Sequence, residues 1–331
     1  MVSCERTCSG NRGYTKDWRR YLHLLKFERR GVSLKKTPKL LSVFFVLIFV
    51  SFVLFVQDAL CQSQKSFLWK IQSEGNTVYV LGSLHFAKGE IYPLHQRIEN
   101  AFDQSDFLVV EANVNDIGKV DVQKLVGSAL YPANDTLEKH VSAETYERVK
   151  KEIGGLGVPP ELINKQKPWF LAMTIVALES VKLGLDPKLG IDMHFLAKAQ
   201  GRKKILELES LDYQISVLSG LSDKDQELFL LYTLKDLNIL EQELDKMIQA
   251  WTSGDTKAME ALMTRSVSED KRLSTIYEKL IYERNKKMVL KIENFLKAKE
   301  TYFIIVGAGH LVGNEGIIEL LRKGGYRVEQ L

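Results

Sequence analysis

The 331-residue sequence has only three cysteines, and none lies beyond Cys61. Disulfides and thiolate metal sites are therefore excluded from everything after that point. The body of the chain also lacks any excess of positive charge. The formal charge is +4, but residues 1–39 hold eleven Lys or Arg against Glu5, Asp17 and Glu28, so that segment is +8 and the remainder −4. The basic balance belongs to the leader, and no nucleic-acid partner is expected. With 45% hydrophobic and 27% charged residues, large-scale disorder is excluded as well, and the length suits one large domain or two small ones.

The first feature of positive content is an uncharged apolar run of 17 residues, Leu40 to Val56, preceded by Lys35, Lys36 and Lys39. That charge asymmetry is the mark of an export signal whose basic side stays in the cytoplasm. At about 1.5 Å per residue the run just reaches across a hydrocarbon core of ~30 Å. Ala59-Leu60-Cys61 offers a small-x-small cleavage site, and Leu60 directly before Cys61 argues against a lipid anchor. The expected organisation is a basic cytoplasmic leader at 1–39, a hydrophobic signal or membrane anchor at 40–57, and a globular domain at 66–331. That domain would be extracytoplasmic, periplasmic or secreted if the signal is cleaved and held at the membrane through 40–57 if it is not.

Within the domain, Leu68 to Gln72 and Thr77 to Leu81 read as strands around a Gly75-Asn76 turn. Gly82-Ser83-Leu84-His85 follows, then a helix expected to open at Pro93 with Leu94, Ile98, Ala101 and Phe102 on one face, then a strand from Phe107 to Glu111. This βαβ order makes the two strands parallel, which brings His85 and Glu111 to the same carboxyl edge of the sheet, where open α/β folds bind ligands. Residues 120–200 read as mainly helical, with breaks at Tyr131-Pro132, Gly154 to Pro160 and Leu183 to Gly190, and are too long for a simple crossover. Lys204 to Leu208 is a further strand, Asp223 to Ala250 a long helix, and Lys271 to Lys297 another. The chain closes with a strand at Tyr302 to Val306, Gly307-Ala308-Gly309-His310, a helix near Gly316 to Lys323 and a strand at Tyr326 to Gln330, so the opening pattern recurs. The fold class is α/β, a mixed central sheet with two strand–GxxH–helix–strand units, flanked by helices and carrying a large helical insertion.

A glycine directly after a strand lets the backbone turn where a Cβ would clash, and the histidine three positions on then projects over the sheet edge. Gly82 and Gly307 are those glycines. Two such turns at opposite ends of one domain allow both imidazoles to meet one carboxylate, a set suited to a divalent ion with open positions. Such an ion would activate water for hydrolysis, with Glu111 as ligand or base. A metal-free site, with one histidine as general base and Glu111 fixing its tautomer, uses the same residues. The plainer alternative is that each histidine caps its turn and Glu111 pairs with a nearby Lys or Arg.

The stretches TVYVLGSLH (77–85), FLVVEANV (107–114), KPWFLAM (167–173), GLDPKLGIDMHFLAKA (184–199), LESLDYQ (208–214), AWTSGD (250–255), ERN (283–285) and FIIVGAGHLVGNEGIIELLRKGGYRV (303–328) resemble, in order and spacing, the TraB/PrgY/GumN family, which is related to the Tiki proteases. The resemblance implies that His85, Glu111 and His310 are the active residues and metal ligands, with Ser83 where a threonine is more usual. It implies a metal-dependent protease using a divalent ion such as manganese, cobalt or zinc, a fold like erythromycin esterase and ChaN, and a peptide or protein as substrate. Other members are linked to pheromone shutdown or polysaccharide operons. A non-catalytic protein that captures a peptide signal or a haem or metal complex in the same crevice is the alternative, and a structural part of envelope assembly a third.

Further candidates surround that set. Asp192 is placed to cap a helix or to serve the site, and His194 to pack. Arg284 could hold a substrate carboxylate or a developing negative charge, or anchor its helix by a salt bridge. Glu209 and Gln214 could orient a ligand histidine. Trp169 and Trp251 read as core aromatics, and no role is assigned to His23, His95 or His140.

Overall fold

The computed structural model describes residues 65–114, 121–154 and 159–331. The leader, the apolar run at 40–57 and the cleavage motif fall outside the described residues. Among those described, no helix is long and apolar enough to cross a membrane.

Leu68–Gln72 (β1) and Thr77–Ser83 (β2) pair antiparallel, Leu68 opposite Leu81. The helix expected from Pro93 instead spans Gln96–Asp103 (α1): its start is set by the His95 ring, which accepts the Arg97 N–H at 3.2 Å, a local cap rather than a proline-led first turn. Ile98, Ala101 and Phe102 of α1 are buried as expected, and Phe107–Val110 (β3) follows. The insertion is Val122–Ala129 (α2), Ala143–Ile153 (α3), Pro160–Asn164 (α4), Pro168–Lys182 (α5) and Ile191–Ala199 (α6), before Lys204–Glu207 (β4).

A second run of helices comprises Leu211–Ser219 (α7), Asp223–Asp236 (α8), Leu240–Ser253 (α9), Thr256–Glu269 (α10) and Ser274–Tyr277 (α11). One π turn, Glu278–Tyr282, joins α11 to Glu283–Leu296 (α12). The helix expected over 223–250 is thus broken, by a 3-10 turn at Leu237–Ile239. At the break, Asp236 is held by Arg265 at 3.1 Å and Ser266 at 3.2 Å, both on α10, and such a tertiary anchor leaves no local signal.

The chain returns as Tyr302–Gly307 (β5), Ile317–Lys323 (α13) and Arg327–Gln330 (β6). The sheet order is β4-β3-β5-β2-β1-β6. Four neighbours, β4, β3, β5 and β2, run parallel, and β1 is antiparallel to both β2 and β6. The near-continuous apolar strings VYVL and YFIIV fit the two strands at the centre, where both faces are covered. The main core packs on this sheet, and a separate cluster, including Leu137, Val149, Leu171, Ile175, Leu230 and Leu234, stabilises the helical layer.

Candidate active site

Three adjacent parallel strands end side by side, and each delivers one of the expected residues. His85 lies two residues past β2, Glu111 directly follows β3, and His310 closes a 3-10 turn, Ala308–His310, after the central β5. Ser83 is level with Gly307, and Val110 is level with Ile305.

The glycines that begin the two turns are required by close approach. A Cβ on Gly82 would collide with the Phe67 ring, while the Gly82 carbonyl accepts the buried Trp251 indole N–H at 2.7 Å. A Cβ on Gly307 would lie 3.4 Å from Glu111 Oε2, 3.5 Å from His310 Cδ2 and 3.8 Å from His85 Nε2. The three side chains therefore border one small space that the missing methyl leaves open.

Each histidine is held by its other nitrogen. Asp192 Oδ1 faces His85 Nδ1 at 3.3 Å and also accepts the Ser83 hydroxyl at 2.8 Å. An ionised carboxylate only accepts, so Nδ1 of His85 carries the proton. Asn285, fully buried, donates its amide N–H to the Glu315 carbonyl at 2.7 Å, which leaves its oxygen 2.6 Å from His310 Nδ1. His310 must then be the Nδ1–H tautomer, with its Nε2 lone pair free and 3.8 Å from Glu111 Oε1.

Glu111 is tightly bound on its other side. Oε1 accepts Arg284 Nη2 and, at 2.8 Å, Gln214 Nε2; Oε2 accepts the Gly307 N–H at 2.9 Å. Arg284 also grips Glu209 through Nη2 at 2.7 Å and Nε at 3.0 Å, and its Nη1 donates to the Leu280 carbonyl at 3.0 Å inside the π turn.

Burial pushes the Glu111 carboxyl up, but the cationic form of His310, the Arg284 guanidinium, His85 and the Gly307 N–H pull harder and bring it to about 2. Burial lowers His310 itself to about 4 against the pull of Glu111, so at neutral pH it is uncharged and the positive charges that act on Glu111 are Arg284 and His85. At His85 desolvation also opposes charge, yet 60% of the side chain meets solvent, and the hydrogen bond and charge of Asp192, with Glu111, prevail and raise it to about 9. Burial acts to raise Asp192, and its contacts with His85 and Ser83 hold it below the usual carboxylate range.

Beside these groups lies a crevice of about 430 Å³, its outer walls formed by Phe86, Ala112, Val114, Pro187 and Met193. Among the described residues, no three His, Cys, Asp or Glu side chains are drawn together closely enough to make a ready metal site.

The model of the TraB/PrgY/gumN family matches residues 67–330, the whole of the α/β unit just described. The chain belongs to this family. Over 245 residues it is 29% identical to the uncharacterised protein YbaP of Escherichia coli, covering 74% of this chain and 87% of that one. It is 24% identical over 321 residues to a protein named Metalloprotease TIKI homolog of Amphimedon queenslandica, and 23% over 317 residues to one named Metalloprotease TIKI1 of Danio rerio. These alignments cover 81% and 80% of this chain but only 62% and 63% of the relatives' own lengths. No solved structure gives a significant match.

Asp192 does not cap α6, whose N-cap is Gly190; its side chain reaches back to the β2 turn. Glu209 and Gln214 orient no histidine, for they bind Arg284 and Glu111. Arg284 is committed to those two carboxylates, as the salt-bridge alternative has it. His194 packs against Tyr92 and Phe195 and pairs with Glu99 at 3.4 Å, away from the crevice. Trp169 and Trp251 are buried as expected, and His140 pairs with Asp135 at 2.7 Å on the far helical layer. The residue the sequence did not single out is Asn285. Its only signal was its place beside Arg284 in the ERN stretch.

Proposed function

We propose that this TraB/PrgY/gumN member is a metal-dependent hydrolase that cleaves peptide or protein substrates, with His85 Nε2, His310 Nε2 and Glu111 Oε2 as the atoms that hold a divalent ion. The observation that carries this reading is the way both imidazoles are fixed through Nδ1, by Asp192 and by Asn285, at the border of the space at Gly307, which leaves Nε2 of each to hold the ion, the cationic His85 giving up its Nε2 proton as the ion binds. Outer partners of this kind are what metal-binding histidines require.

Two further points support the donor set. Of the four lone-pair directions of the Glu111 carboxylate, two on Oε1 are used by Arg284 and Gln214 and one on Oε2 by Gly307, which leaves one on the oxygen that borders the space at Gly307. When both histidines are neutral, Glu111, Glu209 and Asp192 against Arg284 leave two negative charges, a balance that favours a divalent cation. Manganese, cobalt and zinc all accept mixed nitrogen and oxygen ligands.

When bound, the ion would bring the pKa of a water towards ~7 and polarise a substrate carbonyl. The protein supplies the rest. Arg284 and Gln214 hold the Glu111 carboxylate in place, and with a guanidinium on Oε1 that carboxylate serves as ligand rather than base. The crevice, within the ~300–1,000 Å³ usual for ligand sites, presents apolar walls that exclude water around a bound chain. Relatives named metalloprotease motivate the peptide as substrate class. The basic leader at 1–39 and the apolar run at 40–57 support an extracytoplasmic domain, secreted or held at the membrane.

The test is metal analysis of the purified full chain after exposure to Mn²⁺, Co²⁺ and Zn²⁺, beside Glu111→Gln, followed by cleavage of a broad peptide panel. Stoichiometric uptake and cleavage in the parent, both reduced in Glu111→Gln, is the expected result. Intact peptides throughout, with ion or peptide retained, would instead establish a binding protein.

A further inference from the structure

A second cavity, of about 340 Å³ and partly open to solvent, lies between α8, α10 and α11, with Val176 of α5 and part of the π turn in its wall. Phe229, Leu240, Val267, Ile276 and Leu280 supply most of its wall. Most polar groups among the lining residues are already engaged. The Tyr232 hydroxyl donates to Asp270 at 2.5 Å, that of Thr233 to the Phe229 carbonyl at 2.9 Å and that of Ser266 to Asp236 at 3.2 Å. Asp236 is neutralised by Arg265 at 3.1 Å, and Tyr277 turns its ring edge-on to Tyr282. The wall therefore offers no uncommitted charge, and an ionic or strongly hydrogen-bonding ligand would lose its hydration without recompense. A dry apolar cavity of roughly 150 Å³ takes up benzene, so this one has room for a hydrocarbon about twice that size.

Two of its boundaries lead to the active residues. Leu280 and Ile281 belong to the π turn, and the Leu280 carbonyl is the anchor for Arg284 Nη1. Met263, also in the wall, packs against Gly309, the neighbour of His310. A π turn has weaker internal support than the α-helix around it, and such turns recur at functional sites.

We propose that this cavity binds a small uncharged hydrocarbon-like molecule, a fused two-ring aromatic or a chain of about ten carbons, and that occupancy stiffens the π turn whose Leu280 carbonyl anchors Arg284 beside Glu111. The binding is independent of the hydrolase reading; only its consequence for turnover rests on it.

The experiment uses the full chain with naphthalene and 1-decanol as probes, calorimetry for affinity, and hydrogen–deuterium exchange for residues 278–285. Val176→Trp and Val267→Phe each fill the cavity from a half-buried position, so that one serves if the other fails to fold. Saturable binding to the parent, weakened about tenfold or more in a folded filling variant, with severalfold slower exchange at 278–285 on binding, is the expected result. No saturable binding of either probe overturns the site, as does undiminished binding in a folded filling variant. Binding that leaves exchange at 278–285 unchanged overturns the coupling to Arg284 and leaves the hydrolase reading untouched.

Discussion

The amide of Asn285 is fully buried and has both ends committed, one to the Glu315 carbonyl and one to His310. Replacing it by leucine keeps the volume but leaves the Nδ1–H of His310 and a carbonyl without partners. Asn285→Leu is expected to cost about 1–3 kcal/mol in urea unfolding and to weaken Mn²⁺ binding about 10- to 100-fold by calorimetry. Gly307→Ala makes the complementary test. Its methyl would sit at 3.4–3.8 Å from Glu111, His310 and His85, ordinary contact distances, so the fold should persist while ion uptake falls. A Gly307→Ala protein that unfolds normally and binds the ion as well as the parent would remove the shared space from the proposal.

His310 also sets a pH dependence. Its folded pKa, about 4, lies below the ordinary 6.5, so between these values the unfolded chain binds a proton that the folded one does not. Stability is therefore lost as pH falls from 6.5 towards 4, the sign opposite to that of a histidine raised by a partner. The raised His85 contributes a constant amount in that window, because its own loss occurs as pH rises from 6.5 to about 9. In chelator, His310→Gln should flatten the fall in urea midpoint between pH 6.5 and 4, and an unchanged slope would show that another group carries it.

At the scale of elements, the strands were legible because apolar strings and turn glycines are local properties. The two GxxH turns could be placed for the same reason. What could not be read were the breaks in long helices and the destinations of polar side chains. Nothing in Leu237–Ile239 announces a 3-10 turn; Asp236 is drawn to α10 by residues about thirty positions away. Asp192 offered a helix cap by its position, yet its carboxylate serves a turn 107 residues earlier in the chain. Trp251 was legible as buried but not as a donor to Gly82, since burial patterns do not say which carbonyl an indole will find. Trp251→Phe should leave that carbonyl unpaired and lower stability by about 1–3 kcal/mol in denaturant, with Trp251→His recovering part of the loss.

Across the whole molecule, the sequence indicated that β2 and β3 run parallel but not that they are kept apart. β5 lies between them, paired to both, and β2 and β3 make no ladder with each other. A ribosome emitting about 5–20 residues per second will thus have released His85 and Glu111 long before the strand that unites their edges exists. Until residues 302–307 emerge, the earlier strands have exposed borders and no common sheet, the state in which strand edges invite wrong partners. A strand made late is the keystone of those made early, so the shared sheet edge forms all at once, and a chain cut off at Glu300 should be helical by circular dichroism yet melt without a cooperative transition.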